Sequence, residues 1–299
     1  LAWKESKIME LTSERGIRQL LERHGFHFSK SMGQNFLIDR SVPERIAAES
    51  GIDKTYGVLE IGPGIGALTS ELCRRAARVV AVELDRTLLP ILGETLAEYQ
   101  NVTVKNSDIL KLDIAETVRS EMPGLRYAVC ANLPYNITTP VLTALVDTGV
   151  FETITVMVQR EVAHRMTASP GTPDYGAFSL FIRYHSEPRI LFDVPPASFI
   201  PAPKVTSSVV TMVMRKAKPE EVGDEAMFFR VVRASFAQRR KTLVNSLESG
   251  FGGRFSKETL KEILTDCGLD QRIRGETLGI PDFGRIAGAL SHIAEEKRP

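Results

Sequence analysis

Between residues 58 and 167, short apolar runs alternate with stretches of helical spacing, and nothing else in the chain constrains its fold as strongly. The runs at 58–61, 78–83, 102–105, 127–131 and 154–159 read as strands. The segments 67–75, 88–99, 139–148 and 161–167 read as helices. Strands that are apolar along their whole length are buried on both faces. A parallel sheet covered by helices on either side meets that demand, so the chain is expected to be α/β.

The flanks read differently. Residues 12–24 have helical spacing, with Ile17, Leu20 and Leu21 on one face and Thr12 or Ser13 as the N-cap. A polar loop over 29–34 leads to Phe36-Leu37-Ile38 and then a helix through Pro43 to Glu49. Late in the first part, 191–194 and 208–214 read as β around a Pro-rich stretch. The polar segment 216–224, with Pro219 and Gly223, reads as a linker. Beyond it the pattern is helical over 228–249, 257–267 and 282–296. The expected domains are therefore 1–215 and 216–299.

At 43% hydrophobic and 25% charged residues the composition is that of an ordinary globular protein. The three cysteines, Cys73, Cys130 and Cys267, form no CxxC pair, which argues for a reducing compartment and against a structural zinc site. His24 and His27 stand in a Phe-rich stretch with no Cys or carboxylate to complete a site, so no metal is expected. No apolar run approaches the roughly 20 residues that span a bilayer. No signal-peptide core is present at the N-terminus, so cytoplasmic residence is expected. Met9 is a second candidate start after Leu1.

Two segments carry chemistry. Gly62, Gly64 and Gly66 sit at a strand-to-helix turn, where glycine lets backbone approach a ligand closely. Glu83 follows 21 residues after Gly62, at the end of the next strand, placed to accept from ribose hydroxyls. Asp108 ends the third strand and can accept from the adenine amine of the same cofactor. The second segment is Asn132-Leu133-Pro134-Tyr135 at the end of the 127–131 strand. An amide, a carbonyl and an aromatic ring there can hold a flat base bearing an exocyclic amine. Together the two segments point to a methyl donor site beside an amine acceptor site. An NAD site is the alternative. Against it stand the GxGxG spacing followed by Ala67, and a tetrapeptide with no task in hydride transfer.

Seven segments stand in one order: 33–37, 60–66, Val82-Glu-Leu-Asp85, Asp108-Ile109, Asn132 to Tyr135, Phe199-Ile-Pro-Ala-Pro-Lys-Val205 and Gln238-Arg-Arg-Lys-Thr-Leu243. In that order they resemble the ribosomal RNA adenine N6,N6-dimethyltransferases, most of all the bacterial small-subunit type. The similarity runs from about Gly16 to Leu290. The resemblance implies a Rossmann-like class I methyltransferase sheet, mostly parallel and seven-stranded, with a small all-helical C-terminal domain. It implies S-adenosylmethionine as donor and two adjacent adenines near the 3′ end of 16S rRNA as acceptors during small-subunit maturation. It further implies that Asn35 and Leu37 close over the cofactor from the N-terminal arm, and that Gly62 and Gly64 lie in the cofactor loop, with Gly62 under the methionine part. Glu83 would hold the ribose, Asp108 and Ile109 the adenine, and Asn132 would stand beside the transferring methyl. The partner is expected to be 16S rRNA in the small subunit or its precursor, met by a monomer.

The expected chemistry follows from the acceptor. An adenine amine is a poor nucleophile because its lone pair is delocalised into the ring. The Asn132 oxygen and a main-chain carbonyl at Leu133 or Pro134 would hold its two hydrogens and aim the lone pair. Tyr135 and Phe199 would sandwich the extruded base, with a core aromatic as the alternative for Phe199. Between Arg230 and Lys241 lie five basic residues and no acidic one. Arg233, Arg239, Arg240 and Lys241 are expected on RNA phosphates, or else on a solvated helix face. Phe229, Val232, Phe236 and Leu243 would give that helix its apolar face.

Three rivals remain. A large-subunit methylase of the antibiotic-resistance type shares most of these segments. DNA adenine methylases more often carry Pro where this chain has Leu133. A non-catalytic ribosome-assembly factor would have no use for the cofactor loop.

Overall fold

The structure, a computed structural model, describes residues 11–28, 34–238 and 240–296. Contacts divide it into a first unit, running up to Ala163 and including Arg189–Met214, and a second formed by His164–Pro188 and the chain from Arg215 on.

The first unit is built on a seven-stranded sheet. Its strands are β2 (Tyr56–Ile61), β3 (Arg78–Glu83), β4 (Val102–Asn106), β5 (Arg126–Asn132), β6 (Thr153–Gln159), β7 (Ser186–Val194) and β9 (Ser207–Met214). The order is β4-β3-β2-β5-β6-β9-β7. The pairs from β4 through β6 are parallel, and β9 runs antiparallel to β6. A separate antiparallel pair joins β1 (Phe36–Leu37) to β8 (Phe199–Ile200), with Leu37 opposite Phe199.

All six residues of β2 are buried, Glu60 among them. Helices Ala67–Arg75, Leu89–Thr95 and Thr138–Asp147 connect or follow these strands. The chain builds β2, β3 and β4 outward in one direction, then returns to lay β5 and β6 on the other side. Order therefore reverses between β2 and β5, the point where open α/β sheets bind ligands at strand carboxyl ends.

Several elements depart from the sequence expectation. The helix expected over 88–99 is a short turn at Arg86–Leu88 and then Leu89–Thr95, with Pro90 in its first turn where a missing N–H costs nothing. Helices Ile114–Glu121 and Ala177–His185 were not anticipated; the first is capped by Asp113, whose side chain accepts from Glu116 N. The N-terminal helix runs Glu14–Arg23, capped by the Ser13 hydroxyl.

The second unit has its own core, in which Tyr175, Leu180 and Tyr184 pack with Phe228, Leu247, Leu264 and Phe283. The Tyr175 hydroxyl donates to the Leu278 carbonyl at 2.7 Å. The division at Met214/Arg215 lies next to the expected boundary, but His164–Pro188, expected in the first domain, falls in the second unit, whose core its apolar residues join.

The expected single helix over 228–249 is two, Glu225–Phe236 and Leu243–Gly250. Thr242 is extended, and Leu243 N donates to the Ile273 carbonyl at 2.8 Å, a partner outside any continuing helix. No helix among the described residues is long and apolar enough to cross a membrane.

Candidate functional site: a cavity at the carboxyl ends of β2, β3 and β5

A cavity of about 200 Å³ opens at the reversal point. Its floor is the Gly62–Gly66 turn leaving β2. Gly62, Gly64 and Gly66 have φ of 67°, 60° and 90°, conformations that side chains other than glycine rarely adopt. A Cβ on Gly64 would lie 3.2 Å from the Phe36 ring, so β1 packs directly on the turn.

Glu83 ends β3 and is 6% exposed. Its Oε1 accepts from Asp85 N at 2.8 Å and its Oε2 from Gly64 N at 3.3 Å. Each oxygen keeps further acceptor capacity toward the cavity. Burial raises the Glu83 carboxyl above its ordinary value, against these donors.

Asp85 behaves oppositely. Burial works against its charge, but donors from Thr87 and Gln34 outweigh it and hold the carboxyl below its ordinary value. The Gln34 bond, 2.7 Å, ties the chain before β1 to the cavity lip. Asp108 and Ile109 line the cavity beyond β4. Asp108 Oδ1 accepts from Leu110 N at 3.0 Å in a local turn.

Asn132 ends β5, and its Nδ2 donates to the Asn35 carbonyl at 3.4 Å. That contact directs the amide nitrogen to the arm and leaves the oxygen as the end facing elsewhere. Pro134 lines the cavity, but its carbonyl accepts from Ile137 N at 3.3 Å and from Thr138 Oγ1 at 3.1 Å. Of the two carbonyls considered for the amine, that of Pro134 is engaged in its own turn. The Tyr135 ring lines the cavity half-buried, with its hydroxyl 2.7 Å from Ser207 Oγ.

Asn35, Leu37, Gly62, Gly64, Glu83, Asp108, Ile109, Asn132, Pro134 and Tyr135 all line this one cavity. Phe199 does not. It is 3% exposed and packs with Leu37, Val194 and Val209, opposite Leu37 in the small sheet. The core alternative holds for this ring, and its register with β1 is the reason. Two residues had drawn no expectation of their own. Ser207 reaches Tyr135 across 72 positions, a separation no local pattern signals. Glu60 lines the cavity from β2, is 1% exposed, and its Oε2 has no hydrogen-bond partner among the described residues. Burial pushes its carboxyl up to about 8, with the Thr69 hydroxyl opposing and the Glu83 charge reinforcing that rise. The Thr69 contact is weak, since Thr69 Oγ1 also falls short of hydrogen-bond geometry. An acid in the strand ahead of the glycines was the available signal.

In the second unit, Arg233 is exposed on helix Glu225–Phe236, while Arg240 and Lys241 are exposed in the turn before Leu243. Arg233 and Arg240 therefore do not share a helix face, because the helix ends between them. Among the described residues none of the three forms an ion pair. Arg239 lies outside the described residues. His24 pairs with Glu94 at 2.7 Å.

A cradle of left-handed glycines, a buried carboxylate at the neighbouring strand end, and an amide beside both make a site for a nucleoside-bearing cofactor next to an amine. The comparisons agree. The family model described as ribosomal RNA adenine dimethylase matches residues 25–283. A ribosomal RNA small subunit methyltransferase A of Geobacillus sp. (strain WCH70) is 46% identical over 92% of this chain and 96% of its own. The protein of that name in Bacillus mycoides (strain KBAB4) is 48% identical over 91% of this chain and 94% of its own. Among solved structures, 23S rRNA methyltransferase ErmE is 25% identical, with a TM-score of 0.66 over 86% of this chain and 99% of that one. A dimethyladenosine transferase from Plasmodium falciparum, 23% identical, shares the fold with a TM-score of 0.71 over 87% of this chain and 98% of that one. A family model covering most of the chain, and relatives nearly half identical along almost all of it, give one conclusion: the chain belongs to the ribosomal RNA adenine dimethylase family.

Proposed function

We propose that this protein dimethylates N6 of two adjacent adenines near the 3′ end of 16S rRNA, using S-adenosylmethionine, during maturation of the small subunit. The observation that carries it is the meeting of the Gly62–Gly64 turn, Glu83 and Asn132 in one cavity. The donor set fits the cofactor. Glu83 offers buried acceptor capacity for ribose hydroxyls, Asp108 and Ile109 stand where adenine would lie, and the glycine turn leaves room for backbone contact. When bound, S-adenosylmethionine supplies a methyl group on a sulfonium.

The chain's own residues do the rest. Asn132 Oδ1 and the Leu133 carbonyl accept the two amine hydrogens, which draws the nitrogen toward tetrahedral geometry and aims its lone pair. Positioning and fixed dipoles carry the catalysis. The ammonium-like product is acidic enough to lose its proton without a strong base. The Tyr135 ring offers one stacking face, worth about 1–3 kcal/mol, comparable to the cost of unstacking the base. Phe199 is left out of this assignment because its ring is in the core.

Arg233, Arg240 and Lys241, with Arg239, supply phosphate contacts that position RNA without reading its sequence. We take the enzyme to act in the cytoplasm as a single chain. The relatives of nearly half identity favour the small subunit over the large one.

The test is to incubate the protein with unmethylated small subunits and labelled cofactor, then map the label. Label on two adjacent adenines near the 16S 3′ end is expected. Label on 23S rRNA instead would transfer the protein to the antibiotic-resistance type, and no label on either would favour a non-catalytic assembly role.

A further inference from the structure

We propose that Ser207 is a positioning residue for the acceptor site, which it serves by holding the Tyr135 ring in place through its hydroxyl. The inference rests on the assignment of Tyr135 to the acceptor site.

Tyr135 lies in the turn between β5 and helix Thr138–Asp147, a stretch with no ladder of its own. Its backbone neighbours are fixed: Leu133 N donates to the Met157 carbonyl, and the Pro134 carbonyl closes the following turn. The side chain is anchored through its hydroxyl, 2.7 Å from Ser207 Oγ. Ser207 is fully buried at the start of β9, opposite Gln159 of β6. It therefore belongs to the rigid sheet rather than to the turn it restrains.

The Ser207 hydroxyl is buried, so losing the bond would cost it a partner, and the bond is well held. The Tyr135 hydroxyl is also kept from the amine. Only the ring face is offered to the base, and the amine hydrogens are left to Asn132 and Leu133. Burial raises the Tyr135 phenol above its ordinary value, in keeping with a neutral hydrogen-bonding group. A stacking face held by a sheet residue keeps the amine in register with Asn132, at the end of β5, through two parallel supports.

The bond can be removed from either side. Ser207→Ala and Tyr135→Phe should each lower kcat roughly three- to ten-fold, the range of one hydrogen bond. The double variant should be no slower than the slower single one, because both remove the same interaction. KM for small subunits and affinity for S-adenosylhomocysteine should stay within about two-fold of wild type. A Ser207→Ala protein with wild-type kcat would overturn the inference, as would a double variant whose loss is the product of the singles. Should Ser207→Ala fail to fold, Tyr135→Phe decides, since it breaks the bond without touching β9. Tyr135→Ala separates the two levels. If it is crippled while Ser207→Ala and Tyr135→Phe are normal, only the role of Ser207 falls. If it is fully active, the acceptor-site assignment falls and the inference with it.

Discussion

The cavity of the first unit and the basic turn of the second hold polar side chains under opposite conditions. At the cavity, Glu60 and Glu83 are almost wholly buried, and Glu83, Asn132 and Tyr135 each make a defined hydrogen bond. At the turn, Arg240 and Lys241 stand in water, and neither has an ion pair among the described residues. The difference suits the tasks proposed for each. Moving one methyl to one nitrogen needs dipoles fixed before reaction in a medium that does not screen them. Attracting a polyanion needs charge that is free to meet phosphate, and tolerates loose geometry.

The largest effect should come from the cavity. Asn132→Ala is expected to lower kcat by at least about a hundred-fold, the scale of losing one fixed acceptor at a reacting centre. Its affinity for S-adenosylhomocysteine, measured by calorimetry, should barely change. Near-normal activity would remove Asn132 from the mechanism.

Glu83→Ala should come next, weakening cofactor binding roughly ten- to hundred-fold, as expected for hydrogen bonds to a charged group. The sign of its pH dependence is fixed by burial. The Glu83 carboxyl is raised, so acidification through that raised value neutralises it and should weaken cofactor binding in wild type but not in Glu83→Gln. An unchanged dissociation constant in Glu83→Ala would show that the ribose is held elsewhere.

The basic turn should give a smaller, differently shaped loss. Replacing Arg233, Arg240 and Lys241 by Ala should weaken small-subunit binding about ten-fold at low salt. The slope of log affinity against log salt should shrink by about 2 to 3, with cofactor affinity unchanged. Co-sedimentation across a salt series reads both quantities. A wild-type affinity and slope would make these charges a solvated surface and move the RNA track elsewhere.

The last effect concerns stability. In the folded protein Glu60 keeps its proton up to about 8, while the unfolded carboxyl releases it near 4.5. Between those values the unfolded state binds fewer protons, so folded stability falls as pH rises through the window. Glu60→Gln should therefore have a Tm advantage over wild type, cofactor-free, that grows from pH 5 to pH 8. At about 1.4 kcal/mol per pKa unit and about 2–4 °C per kcal/mol, the gain should be on the order of ten degrees. A constant difference across that range would mean that Glu60 is ionised in the folded protein.

Where local sequence governs, the reading held. Helix Ala67–Arg75 and strand β3 fall on the expected residues, and Gly62, Glu83, Asp108 and Asn132 line one cavity because each ends or follows a strand of the parallel sheet. Consecutive parallel strands bring their carboxyl ends to one edge, so the order of motifs along the chain became their arrangement in space. Helix Ile114–Glu121 was missed because its buried residues are only Ile114, Thr117 and Val118, too few to set a period.

What the sequence determined, then, is the α/β sheet, the glycine turn after its first strand, and the acid and amide at neighbouring strand ends, since strand periodicity and glycine conformation are properties of a few adjacent residues. Tertiary structure decided the rest, through partners far away in the chain. The apolar spacing over 228–249 suits one helix or two, and the break that leaves Arg240 and Lys241 in a turn comes with a bond from Leu243 N to the distant Ile273 carbonyl. Phe199 could have faced a base or the core, and its register opposite Leu37 put it in the core. Pro134 could have offered its carbonyl to the amine, but Thr138 takes it. The hold of Ser207 on Tyr135 exists only because β9 turns back antiparallel beside β6.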